Sequence, residues 1–236
     1  MIPDCKKILL LGAGGHCLSV IDSIRSLNLY DEVGIIERSS MSKTISVDRD
    51  ILGIPIVGID DDLERLYQEG YQHAFVTVGS MGDVSLRKKL YDRIKAIGFH
   101  VPTIIDGSSK VSEYSTLGEG IYVGKNVAIN ACVTVDNMAI INTGALVEHE
   151  CHIGNLVHLA PGSILCGHVQ IGDGSHIGAG TVIKQGIRIG KDAIIGMGSV
   201  VLHDIGDNIV AYGNPCKEKD NKKHDMPTGK DGAYDE

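Results

Sequence analysis

The sequence predicts a parallel β-helix preceded by a small α/β domain, and three observations carry that expectation. Between Ile105 and Val201 an Ile, Leu or Val falls at every sixth position: Ile105, Val111, Leu117, Val123, Ile129, Val135, Ile141, Val147, Ile153, Leu159, Leu165, Ile171, Ile177, Ile183, Ile189, Ile195 and Val201. Four residues after each aliphatic stands a small or β-branched residue, as at Ala139, Ala145, Cys151 and Ser163. Upstream of Ile105 the grammar changes to short apolar runs that alternate with helical spacing.

A strict six-residue period names a solenoid. Each hexapeptide supplies one short strand and one corner. The aliphatic points into the coil and stacks on the aliphatic one coil away; the residue four later also points inward, with less room. The residue just after the aliphatic is often Gly or Asn, as at Gly118, Gly124, Asn130, Gly154 and Gly172. It is expected at the corner, where positive φ is frequent. Three hexapeptides close one triangular coil, so residues about 18 apart stack directly.

The first 104 residues follow a βαβαβα order. Lys6–Gly12 reads as a strand, and Gly14–Asn28 as a helix with Leu18, Ile21, Ile24 and Leu27 on one face. Val33–Glu37 is a second strand, and 39–59 reads as an irregular excursion around Gly53, Ile54 and Pro55. Asp60–Glu69 is a helix opened by acidic residues, His73–Gly79 a third strand, and Val84–Ile97 a basic helix with Leu86, Leu90, Ile94 and Ile97 inward. This order implies a small Rossmann-like parallel sheet flanked by helices. The expected division is 1–104 as a nucleotide-sugar-binding domain, 105–216 as the β-helix, and 217–236 as a disordered tail rich in charge and poor in large apolar groups.

Composition narrows the function. Thirty Gly, two Phe and no Trp suit a solenoid with many corners and a thin interior. A net charge of −8 argues against nucleic acid or an anionic membrane as partner. No apolar stretch is long enough to insert in a membrane and the N-terminus lacks a signal peptide. Six cysteines without a CxxC pair read as reduced thiols, so a cytoplasmic protein is expected.

Two segments carry chemistry. Leu11-Gly12-Ala13-Gly14-Gly15-His16 is a strand end, a glycine turn and a helix start, where backbone amides can approach an anion. Cys17 stands where a dinucleotide fingerprint needs Gly or Ala, so the turn alone is equally compatible with a tight βα turn without ligand. The second segment is Asn142–Gly154. Here His149 falls at an outward position, Glu150 follows it, and Gly167 lies one coil on. A His beside a carboxylate, opposite a backbone N–H, supplies base, orienter and oxyanion donor for acyl transfer.

These strings, with Val78-Gly79, Arg87-Lys88-Lys89 and Gly213-Asn214-Pro215, resemble the hexapeptide-repeat nucleotide-sugar acetyltransferases of bacillosamine-type sugars and the related sialic-acid O-acetyltransferases. The resemblance covers about residues 6–216. It implies a left-handed β-helix and an acetyl-CoA-dependent homotrimer with sites between neighbouring β-helices, acting on a UDP-4-amino sugar. His149 matches the catalytic base and Glu150 the acid that assists it. His158 and the Gly167 amide match groups at the acetyl end of the coenzyme, and Ala179 and Met197 match its pantetheine path. Gly14, Gly15 and His16 match the nucleotide-sugar loop, with Glu37, Arg38 and Gly79 also on the substrate side. Glu37-Arg38 stands where the bacillosamine enzymes carry paired acids that meet uracil, and Asp106 replaces a histidine usual near the first coil.

Other readings of the pattern are a sialic-acid O-acetyltransferase, a non-catalytic nucleotide-sugar-binding trimer, and a zinc enzyme of the γ carbonic anhydrase type. The last needs two histidines five residues apart. His149, His152, His158, His168, His176 and His203 offer no such pair, so no metal is expected.

Overall fold

The structure, a computed structural model, describes residues 6–38 and 50–219. Strand β1 (Lys7–Leu11) is apolar on both faces, and Ile8, Leu9, Leu10 and Leu11 are all buried. A strand of that kind needs cover on both sides. Helix α1 (Gly15–Leu27) packs Val20, Ile21 and Ile24 against Ile8, Leu10 and Phe75. On the other face α2 (Leu63–Gln68) and α3 (Ser85–Ile97) bring Leu63, Leu66, Leu90 and Ile94 to Leu9, Leu11 and Ile36. With β2 (Glu32–Glu37), β3 (Asp50–Ile51), β4 (Ile54–Ile59) and β5 (His73–Val76) the sheet order is β3-β4-β2-β1-β5.

The expected irregular excursion is only partly so. Residues 50–59 form the β3–β4 hairpin, turning at Leu52 and Gly53, both at positive φ (52° and 72°), and β4 pairs parallel with β2. Pro55 and Gly58 disguise this strand, because each breaks the local apolar pattern. Residues 39–49 lie outside the described residues. The acidic helix opens with a 3-10 turn, Asp60–Asp62, before α2. The third strand stops at Val76, leaving 77–84 as a loop between β5 and α3.

From Ile104 the chain winds as a left-handed parallel β-helix. Its two-residue strands stack into three faces. The first face holds Tyr122–Val123, Ile140–Ile141, His158–Leu159, His176–Ile177 and Ile194–Ile195; the second holds Leu146–Val147 and Ile164–Leu165; the third holds His152–Ile153 and Gln170–Ile171. Partners are 18 residues apart throughout, as in Leu146↔Ile164 and His158↔His176, until the last coil, where Ile194 pairs with Val210. The aliphatics and the small residues four later fill the interior, with Val147, Leu159, Ser163, Thr181 and Ser199 fully buried.

The corner glycines follow a different logic from the one expected. Positive φ falls three residues after the aliphatic, at Asn126, Cys132, Met138, Glu150, Leu156, His168 and a run of glycines from Gly120 to Gly198. The glycine just after the aliphatic has ordinary φ and is required for closeness. A Cβ on Gly172 would stand 2.6 Å from Lys191 N, and one on Gly178 would stand 2.4 Å from Met197 N.

The two parts share apolar cores. Tyr122 and Ile140 of the first face belong to the cluster under α1, and Met138 joins the cluster under α3. Asp106 joins the same seam. It accepts from Ser23 Oγ (2.6 Å), Ser108 N (3.0 Å) and Lys125 Nζ (3.2 Å). Burial pushes its carboxyl up, but the Ser108, Ser23 and Lys125 contacts outweigh that and hold it below the usual range. Asp106 is thus an anchor between α1 and the first coil. Beyond Cys216, Lys217–Lys219 form a strand antiparallel to Val210–Tyr212, three residues into the expected tail; residues 220–236 lie outside the described residues. No helix among the described residues is long and apolar enough to cross a membrane.

Candidate active site

The corner between the second and third faces carries His149. It is half exposed, and its Nδ1 lies 3.0 Å from Glu150 Oε2. A carboxylate can only accept, so Nδ1 carries a proton, and in the neutral ring the lone pair is on Nε2. The pair is held from below by the next coil. His168 N donates to His149 O at 2.8 Å, and Gly167 lies against the imidazole so closely that a Cβ there would be 2.6 Å from its Cε1. The stacking of His149 on Gly167 is thus as the period requires.

The three corners differ in how they treat their outward N–H groups. At the third-to-first corner side chains cap them: Asn137 accepts from Glu119 N, Asp173 from Asn155 N and Asp207 from Lys191 N, at 2.8–2.9 Å. At the first-to-second corner Pro161 has no N–H, while Ala179 and Met197 have N–H groups without an acceptor among the described residues. The Gly167 N–H is likewise without one. Ala179 and Met197 stack, with Gly198 N bonded to Ala179 O, and the Met197 side chain is 80% exposed. Uncapped donors beside an exposed thioether suit a long ligand that carries amide carbonyls.

The glycine turn separates into structural and open positions. Gly12 has φ +118° and a Cβ there would meet Val78 at 2.8 Å, so the fold itself requires it. Gly14 and Gly15 have ordinary φ and nothing within 4 Å of an added Cβ. Packing gives no reason for glycine there, and the N-terminus of α1 has no side-chain cap. His16, the next residue, is turned inward, edge-on to Tyr122, with its Nε2 buried and without a partner.

His158 is partly buried on the first face. Its Nδ1 donates to Ser80 O at 2.8 Å, its Nε2 faces Asn142 Nδ2 at 3.4 Å, and its ring meets His176 edge-on at 4.9 Å. It belongs to an interdomain wall with His16, because Gly79 next to Ser80 packs beside the His16 Cβ. Glu37 ends β2 and Arg38 follows it. Arg38 lines a cavity of about 280 Å³ at the end of β2 with Asp60, Asp61, Leu86, Lys89 and Arg93. The carboxyl ends of parallel strands are where nucleotides bind in such sheets.

Sequence reasoning assigned no site role to Ser80, Arg87, Asn142 or His176, although Arg87 and Asn142 stand in the strings that carry the resemblance. Arg87 had a signal: with Leu90 and Ile94 it follows the i, i+3, i+7 spacing of the buried face of α3.

Burial pushes His16 down to about 3, helped by the Arg87 charge and by His158. Burial pushes His158 down to about 4, with the Ser80 carbonyl opposing and His176 and Arg87 adding to the drop. Both rings are neutral in the folded protein but take up protons below about pH 6.5 once unfolded. The unfolded chain therefore binds more protons in this window. Their contribution to stability is complete above about pH 6.5 and declines as pH falls towards about 4 for His158 and about 3 for His16. At about 1.4 kcal/mol per pKa unit the loss is on the order of several kcal/mol. Urea melts across this range should show it, with a flatter profile for His158→Asn; equal stability at about pH 7 and about pH 5 would contradict it.

Family models match two parts of the chain: the PglD N-terminal domain over residues 7–94, and the bacterial transferase hexapeptide (six repeats) over residues 150–185 and 168–203. Among solved structures, a point mutant of perosamine N-acetyltransferase from Caulobacter crescentus, in complex with CoA and GDP-perosamine, is 37% identical, with 91% of this chain and 97% of that chain covered and a TM-score of 0.83. The acetyltransferase domain of PglB from Neisseria gonorrhoeae, in complex with acetyl coenzyme A, is 29% identical, with 91% and 99% covered and a TM-score of 0.82. WeeI from Acinetobacter baumannii, at 24% identity with 91% and 100% covered and a TM-score of 0.75, shares the fold.

Proposed function

Because the chain belongs to the hexapeptide-repeat nucleotide-sugar acetyltransferases, we propose that it transfers acetyl from acetyl-CoA directly to an amino group of a nucleotide-linked sugar, with His149 as general base. The observation that carries this is the His149–Glu150 pair over the uncapped Gly167 N–H. The acceptor nitrogen attacks the thioester carbonyl carbon and its proton passes to His149 Nε2. The carbonyl oxygen gains negative charge and meets the Gly167 N–H. The intermediate then collapses: the C–S bond breaks and the coenzyme sulfur leaves, taking the proton back from the imidazolium. Cys151 takes no part in this scheme. Its thiol is buried, donates to Cys166 O at 3.2 Å, and burial pushes it up to about 11.

Two copies are needed for one site. His149 and Gly167 stand at one edge of the β-helix, Ala179 and Met197 at another, so a pantetheine along the second edge reaches a His149 presented by a neighbour. This supports a homotrimer. Mixing inactive His149→Ala chains with chains blocked at Met197 would then restore part of the activity.

For the acceptor, Gly14, Gly15 and the start of α1 take the diphosphate and the Arg38 cavity takes the base. The relative bound to GDP-perosamine supports a GDP-linked amino sugar ahead of the UDP-4-amino sugar expected from sequence. The test is a panel of GDP- and UDP-linked 4-amino sugars and free sialic acid with acetyl-CoA, products read by mass spectrometry. Amide formation on a nucleotide sugar is expected. Acetylation of a sialic-acid hydroxyl, or no transfer at all, would replace this reading.

A further inference from the structure

We propose that Arg87 is a positioning residue for the acceptor: its guanidinium ties the 79–83 loop to two successive coils and so sets the wall on which the nucleotide sugar rests. The proposal rests on the acceptor reading of the Gly14–His16 turn.

Arg87 is 2% exposed, on a helix otherwise lined with solvated cations. Among the described residues no carboxylate pairs with it. Its Nη2 donates to Met138 O, and its Nη1 donates to Leu156 O at 3.1 Å and to Ser80 Oγ at 3.2 Å. Burial lowers it only to about 10, so it stays charged. A buried charge held by neutral groups alone is a poor stabiliser; apolar replacement of buried ionic groups is often neutral or favourable. Geometry explains it better. Met138 and Leu156 are 18 residues apart, on adjacent coils whose carbonyls repeat about every 4.8 Å. The fork of a guanidinium can meet two such carbonyls and a hydroxyl at once, whereas an ammonium is a single point.

What the fork holds in place is the loop between β5 and α3. Ser80 is linked to Arg87 through its hydroxyl and to His158 through its carbonyl. That carbonyl obliges His158 Nδ1 to carry the proton, which leaves Nε2 as an acceptor towards Asn142. Gly79 packs beside the His16 Cβ, and Gly82 is pressed on Ile194, where a Cβ would be 2.4 Å from Cδ1. One side chain therefore fixes the spacing between the glycine turn, His16 and His158.

The test uses full-length Arg87→Lys, Arg87→Met and Ser80→Ala, with the nucleotide sugar that the wild type acetylates. Arg87→Met and Arg87→Lys should raise KM for the nucleotide sugar about tenfold or more, with KM for acetyl-CoA within about twofold, since a misplacement of about 1 Å is enough to cost that much. Ser80→Ala, which removes one link without opening the seam, should move the same constant in the same direction. By ¹⁵N NMR the wild-type His158 should be the Nδ1–H tautomer, and that signature should weaken in Arg87→Met. Loss of thermal stability with both KM values unchanged, or equal shifts in both, would overturn the proposal and make Arg87 a structural seam. If Arg87→Met does not fold, an unchanged KM in Ser80→Ala overturns it. A wild type that acetylates no nucleotide sugar would instead remove the acceptor reading and this proposal with it.

Discussion

His149→Ala should lower kcat by about 10²–10⁴-fold while leaving assembly and melting temperature at wild-type values, because that is the usual worth of a general base. The side chain is half exposed and among the described residues bonds only to Glu150, so its removal opens no cavity and strands no buried group. The stability of the coil comes from Val147 and Cys151 on either side, both of which point inward. The acceptor must lose a proton during attack, and within this corner the His149 Nε2 is the acceptor the geometry offers. Glu150→Ala should cost less, since it removes the group that orients the ring and not the base itself. Steady-state kinetics with sedimentation of each variant measures both effects. Near-normal turnover in His149→Ala, together with loss of activity in Cys166→Ala, would mean that a thiol carries the acetyl group.

Gly167→Ala should be nearly as damaging, on the order of 10²-fold in kcat, although it adds one methyl group. That methyl would lie 2.6 Å from His149 Cε1 and 2.7 Å from Nε2. Such contacts cannot persist, so something gives. The ring is the free end of an exposed side chain and can swing away at little cost, so the fold survives and the base leaves its place. The variant should therefore melt like the wild type and bind acetyl-CoA, yet turn over slowly. If Gly167→Ala keeps near-normal kcat, the imidazole does not need the position over Gly167. The contrast with Gly172 and Gly178 is useful. A Cβ there meets the backbone of the next coil at 2.6 and 2.4 Å, which cannot swing aside, so alanine at either position should lower stability first.

Much of this site was legible in the chain because a solenoid makes sequence distance equal spatial distance. The six-residue period determines which side chains enter the coil and which leave it, and the observed 18-residue register puts Gly167 under His149 and Met197 under Ala179. The β1 strand and the glycine turn were readable for a different reason: an unbroken apolar run and a glycine cluster are local signals, whatever distant partners they meet. The reading failed where local pattern is degenerate. Gly at the position after the aliphatic answers a close approach from the next coil, and positive φ falls two residues later, yet both demands select the same residue. The β4 strand escaped because Pro55 and Gly58 interrupt an otherwise ordinary apolar run.

By itself, then, the sequence determined the β-helix, the outward His149–Glu150 pair and the glycine turn that opens α1. Only the tertiary structure decided what the first face is for. Tyr122, Met138, Ile140 and His158 look like the outward residues of any coil, and Arg87 like one more cation on a basic helix. Tyr122, Met138, Ile140 and Arg87 are buried, and His158 partly so, because the N-terminal sheet and its helices close on that face, so that His158 becomes a neutral ring held by Ser80 and Arg87 a fork between two coils. Whether a polar side chain is solvated or buried depends on what packs over it from far along the chain, and a local period carries no record of that contact.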